Sequence, residues 1–163
     1  MSVETNLRNR IAALLRAGLV AVQEAGDLPA FEIPEVPPVE QGRHAAHGDY
    51  ASPICLGLAR VLHQAPIKIA AAIAKHIPLA PFVTKVDVAQ PGFINFTLAE
   101  EWVASQVPVI LVAGETWGNQ TLGNNARVQV EFVSANPTGP ITIGSARIAV
   151  IGDALASVLE AAG

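Results

Sequence analysis

Pro78 separates two spacings of apolar residues, and that change of period limits the fold more than any other feature of the sequence. Before it, Leu7, Ile11, Leu14, Leu15, Leu19 and Val22 recur at helical spacing, while Arg8, Arg10, Arg16 and Glu24 occupy other parts of the turn. One amphipathic helix is predicted from about Val3 to Ala25, ended by Gly26. The Pro- and Gly-rich stretch "FEIPEVPPVEQGRHAAHGDYAS" then has room for a short edge strand around Phe31–Pro34. Ser52 is placed to cap a second helix with Pro53 at its first position and Ile54, Leu58, Val61 and Leu62 on one face. Pro66 starts a third helix, Ile67 to about His76.

After Pro78 the period shortens. "FVTKVDVAQ" alternates as a strand does, and "GFINFTL" is a second strand behind the breaker pair Pro91-Gly92. Alternation sets Phe93, Asn95 and Thr97 on an exposed face and Ile94, Phe96 and Leu98 on a core face. "AEEWVASQVPVILVAGE" returns to helical spacing, with a kink or restart expected at Pro108. The polar stretch "TWGNQTLGNNA" is the candidate domain boundary. Beyond it, "RVQVEFV" alternates Val128, Val130 and Phe132 against Gln129 and Glu131, a further strand. "SARIAVIGDALASVLEAAG" is a last helix closed by Gly163 at the C′ position.

Helices and adjacent strands in this order predict an α+β domain, helices packed on a small antiparallel sheet. The last strand and helix lack neighbours that would satisfy their backbone and cover their apolar faces. They pack on the first part, pair between chains, or open a larger α/β domain. A hydrophobic fraction of 51% supports a packed core, and a net charge of −4 argues against a broad electrostatic grip on nucleic acid. Cys55, the sole cysteine, lies in an apolar run and reads as a buried structural thiol. The polar start carries no signal-peptide pattern and no apolar run is long enough to span a bilayer, so a soluble, cytoplasmic chain is expected. His44, His47 and Asp49 share one Gly-rich loop without a second cluster, and solvent-facing residues are expected there rather than a metal site.

"GDYAS", the helix pair after it, "PGFINFTL", "WG" and "VEFVSANPTGPITIGSARIAVIGDALASVLEAAG" together resemble the N-terminal portion of bacterial arginyl-tRNA synthetases. The likeness runs in order along nearly the whole chain. It implies a tRNA-contacting domain over residues 1–118, a linker over 119–126, and over 127–163 the truncated start of a class I, Rossmann-like catalytic domain. The family ligates arginine to tRNA with ATP and magnesium; this chain, lacking most of that catalytic domain, is expected to need no cofactor.

The resemblance also assigns candidate residues. The family's His-x-Gly-His signature falls on Thr142, Ile143, Gly144 and Ser145, so the glycine is kept and hydroxyls replace both histidines. A hydroxyl brings no positive charge, and losing one preorganised charge-stabilising donor costs roughly 3–4 kcal/mol of transition-state stabilisation. Adenylate formation by this chain alone is therefore not expected. Glu131, Ser134 and Asn136 match positions that bind arginine, and Arg147 matches a position on the following helix. As residues, Glu131 can accept charge-assisted bonds from a cation, or be a solvated strand residue; Asn136 before Pro137 can reach across the loop, or close an Asx-turn. Phe93 and Asn95 match positions that read a D-loop nucleotide, an aromatic face for stacking and an amide for the base edge. Three functions follow as expectations: residual tRNA binding, an interaction protein that dimerises through 127–163 or docks a missing catalytic portion, and a sensor for arginine or another cation.

Overall fold

The computed structural model describes residues 3–42 and 48–163. They fall into two compact units, residues 3–111 and 112–163. In the first, helix α1 (Val3–Glu24) leads to the short strands β1 (Glu40–Gln41) and β2 (Tyr50–Ser52), helices α2 (Ile54–Leu62) and α3 (Pro66–His76), and the hairpin of β3 (Val83–Ala89) and β4 (Phe93–Leu98). Helix α4 (Glu100–Ala113) follows. The strands form one antiparallel sheet in the order β1-β2-β4-β3. This is the α+β arrangement the periods predict, with two short strands, β1 and β2, that the pattern did not give.

The core lies between the helices and one face of the sheet. Ile11, Leu15, Leu19 and Val22 of α1, Cys55 of α2, Ile69 and Ile73 of α3, and Ile94 and Phe96 of β4 are all fully buried. Two polar contacts fasten its rim. His76 Nε2 meets Asp27 Oδ2 at 2.8 Å, joining the ends of α3 and α1. The Arg10 guanidinium lies 4.1 Å over the Phe82 ring, whose neighbour Trp102 begins α4.

Four local expectations change. No strand forms at Phe31–Pro34; Pro34, Pro37 and Pro38 supply no N–H to a ladder, and the Phe31 carbonyl instead accepts from Gln23 Nε2 at 2.8 Å. Ser52 belongs to β2, and α2 starts at Ile54 after Pro53. Its buried hydroxyl donates to the Pro38 carbonyl at 2.6 Å and accepts from Ile54 N at 3.4 Å, so one oxygen closes the strand and faces the helix start. Val61 is 62% exposed. The buried stripe of α2 is Ile54, Cys55, Leu58 and Leu62, which leaves Val61 at its margin. Finally α4 does not restart at Pro108 but continues through it, although the Ala104 carbonyl thereby loses its helical donor.

In residues 112–163 the last helix, α5 (Ile143–Ala162), is as expected, and Gly163 ends it at φ 85°. The strand expected at "RVQVEFV" is absent: residues 127–133 have no ladder partner among the described residues. Alternating side chains prepare a strand but cannot supply its neighbour. The segment stops at Val133, whose φ of 56° is rare for a β-branched residue, and Ala135 N donates back to the Val133 carbonyl at 2.8 Å. Phe132 packs instead on Gly152 of α5, where an added Cβ would lie 2.2 Å from the ring. The polar stretch expected as a linker also has a structural task. Gln120 N, Gly123 N and Asn125 N donate to the carbonyls of Ala161, Ala162 and Gly163, covering acceptors that a helix end leaves open.

Candidate nucleic-acid face and loop remnant

The outer face of the sheet is built by register. Because paired residues share a face, Asn95 of β4 stands between Ala51 of β2 and Asp87 of β3, and Glu40 of β1 continues the row. Phe93 stands beside Ala89, and Thr97 beside Lys85. The opposite face carries Ile94 and Phe96, both fully buried. Phe93 and Asn95 therefore do share one face, directed away from the core. The expectation that this whole set is exposed needs correction. Phe93 and Thr97 are half-buried, and Asn95 is only 5% exposed. Neighbours on both strands crowd a central position of a sheet, so its amide is recessed between them.

Asp49 braces the face from its edge. Its Oδ2 accepts from Leu98 N at 2.8 Å while its own N donates to the Phe96 carbonyl at 2.9 Å. Gly48 at φ 75° brings the chain so close that a Cβ there would stand 2.7 Å from the Phe96 oxygen. Sequence reading placed Asp49 on a loop without a task. The "GD" pair ahead of a short strand is the one local sign of it, and the partner lies far downstream. His44 and His47 fall outside the described residues. Among those described, no three His, Cys, Asp or Glu side chains are grouped to hold a metal ion.

The loop between residues 131 and 147 brings together some of its candidates and not others. Thr142 is the N-cap of α5: its Oγ1 accepts from Ser145 N at 3.2 Å and lies 3.1 Å from Ser145 Oγ. The two hydroxyls, expected at signature positions, are engaged with the helix start and with each other. Gly144, between them, has open space around it apart from Thr142 Oγ1. Glu131, Ser134 and Asn136 are all exposed and make no side-chain hydrogen bond with one another. Arg147 is exposed one turn into α5, beside Ile143, Val150 and Ile151. The apolar groove of this unit runs between Val128, Val130, Phe132 and Ala156, Leu159, and none of the polar candidates lines it.

Cys55 is sealed within the core, and burial pushes its thiol from the ordinary 9.0 up to about 12. It is a packing group, as its apolar run implies. No single described helix is long and apolar enough to cross a membrane; the pair that passes by composition, α2 with α3, is bent by 114° and contributes to the core.

Known proteins match this architecture. The family described as the arginyl tRNA synthetase N terminal domain matches residues 4–98. The arginine–tRNA ligase of Halorhodospira halophila is 46% identical over 158 residues, covering 96% of this chain and 27% of that protein. That of Moorella thermoacetica is 41% identical over 164 residues, covering 100% of this chain and 29% of its own length. Among solved structures, arginyl-tRNA synthetase from Plasmodium falciparum superposes with a TM-score of 0.62 at 15% identity, over 94% of this chain and 28% of that one. The Thermus thermophilus enzyme gives 0.54 at 24% identity, over 96% and 24%. These two show a shared fold. The chain spans little more than a quarter of the length of the curated relatives it matches. By its helices, its four-stranded sheet and this family match, the chain belongs to the arginyl-tRNA synthetase N-terminal domain family.

Proposed function

We propose that the chain is an arginyl-tRNA synthetase-like fragment or short paralogue, cytoplasmic, that binds tRNA through the outer face of its sheet. Residues 1–118 would form the tRNA-contacting domain, 119–126 the linker, and 127–163 the opening of a catalytic domain. The observation that carries this reading is the placement of Phe93 and Asn95 on the side of β4 opposite the buried Ile94 and Phe96. A partly exposed ring offers a stacking surface for a splayed base, and the recessed amide beside it can reach only a base edge that enters the sheet surface. That geometry favours a D-loop nucleotide over a duplex.

Thr142 caps α5 with its hydroxyl against that of Ser145, and neither supplies a cation for ATP phosphates, so adenylate formation is not assigned to this chain. The reading is tested by salt-titrated binding to an arginine tRNA transcript beside the same transcript with an altered D-loop. Preference for the unaltered RNA, lost in Phe93→Ala, is expected. Equal binding to both, or no binding, rules the site out.

Self-association has its own support in the exposed apolar side chains Val128, Ile148, Val150, Ile151, Leu155 and Val158, together with the unladdered segment 127–133. Equilibrium sedimentation giving a monomer at all concentrations would eliminate a dimer through 127–163. The arginine-sensor reading requires Glu131, Ser134 and Asn136 to converge on one ligand, and calorimetric heat on adding arginine would establish it.

A further inference from the structure

The face that holds Phe93 and Asn95 also holds an ion pair. Lys85 Nζ lies 2.6 Å from Asp87 Oδ2, with the side chains 64% and 48% exposed. Register places Asp87 opposite Asn95 and Lys85 opposite Thr97. Along the two strands the face therefore runs from a ring, through an amide and a carboxylate, to a hydroxyl and an ammonium. An exposed pair of this kind contributes little to stability. A bare carboxylate in the middle of an RNA-binding surface, however, repels the backbone of the ligand. Asp87 is paired with a cation at that position, and the cation stands at the end of the face away from Phe93.

Resting on the tRNA reading above, we infer that Lys85 and Thr97 form the phosphate-contacting end of this face, with Asp87 as an internal competitor for Lys85. From Phe93 to Thr97 the strand covers roughly 13 Å, enough to engage a base at one end and a backbone phosphate at the other. On RNA arrival the Lys85 ammonium transfers from the Asp87 carboxylate to a phosphodiester oxygen, and the Thr97 hydroxyl donates a second bond. The Asp87 carboxylate, left beside Asn95, then excludes backbone from the base-reading position and accepts only N–H groups. Lys85 is the cation that the strand register puts on this face, which suits a chain whose net charge is −4.

The test uses the whole chain, an arginine tRNA transcript and a salt series, with thermal melts to show that each variant is folded. Lys85→Ala should weaken binding several-fold at low salt and reduce the slope of log K against log salt by about 0.7 to 1. Asp87→Asn, which frees Lys85 and removes the repelling charge, should tighten binding roughly two- to five-fold at low salt. A Lys85→Ala variant with parental affinity and slope overturns the inference, as does weaker binding by Asp87→Asn. If Phe93→Ala still weakens binding in either case, the base-stacking reading survives the loss of the phosphate end. A Phe93→Ala variant that binds like the parent overturns the reading of the face itself.

Discussion

Asp49 ties its carboxylate to the backbone of Leu98, a residue 49 positions away, and so closes the end of the sheet that β2 is too short to reach. Replacing it with Ala leaves that N–H to water and should cost about 0.5–1.5 kcal/mol in urea unfolding, while Asp49→Asn, which keeps an oxygen there, should cost less. This role was not legible in the sequence. Hydrogen-bond partners so far apart become neighbours only when the sheet forms, whereas the burial of Cys55 followed from its local apolar run. That burial has a measurable sign. With the folded thiol near 12 and its ordinary value at 9.0, unfolding releases a proton between those limits. The contribution is complete below about pH 9 and is lost as pH rises from there toward 12. The parent should therefore lose more stability than Cys55→Ala between about pH 8 and about pH 10.5.

At the scale of elements, α5 shows how turn chemistry fixes a helix start. Thr142 caps the helix through Ser145 N, and Thr142→Ala should cost about 1 kcal/mol of helix stability, read as faster amide exchange in the first turn. The helix itself was plain from its spacing. The strand before it was not decided by spacing, because a ladder needs a second strand and the described chain offers none to residues 127–133. What holds this segment is Phe132 against Gly152. Gly152→Ala gains up to about 1 kcal/mol of helix propensity, but overpacking costs about 1–3 kcal/mol when the neighbour cannot move. Phe132 is 38% exposed and has solvent into which to turn. The expected result is therefore local: proteolytic cleavage speeds up over 127–133 while the helicity of α5 is unchanged or rises. Cleavage no faster than the parent's over that segment would show that the Phe132 contact does not hold it.

For the whole molecule, the distribution of burial decides what folds unaided. Among the described residues, every buried hydrophobic side chain lies between Leu7 and Phe96, within the unit of residues 3–111. In residues 112–163 the one buried position among those described is Gly152, which has no side chain to bury. Ordering a residue costs roughly 1–2 kcal/mol of backbone entropy, and burial of apolar area is the main term that offsets it. Residues 3–111 can meet that cost with α1, α2 and α3 closed on the sheet. Residues 112–163 have the Phe132 contact, the cap at Thr142 and the linker bonds to the end of α5, all of them exposed or partly so. The apolar periods in the sequence already announced this imbalance, since they put four helices and two strands before the linker and one strand and one helix after it. A fragment of residues 3–111 is accordingly expected to melt in one cooperative transition and to keep any RNA binding through Phe93. A fragment of residues 112–163 is expected to show a shallow, non-cooperative loss of helicity with no heat-absorption peak. A sharp calorimetric transition from the second fragment at low concentration would mean that its exposed apolar helix finds a partner within the fragment; one that sharpens with concentration would trace that partner to a second copy.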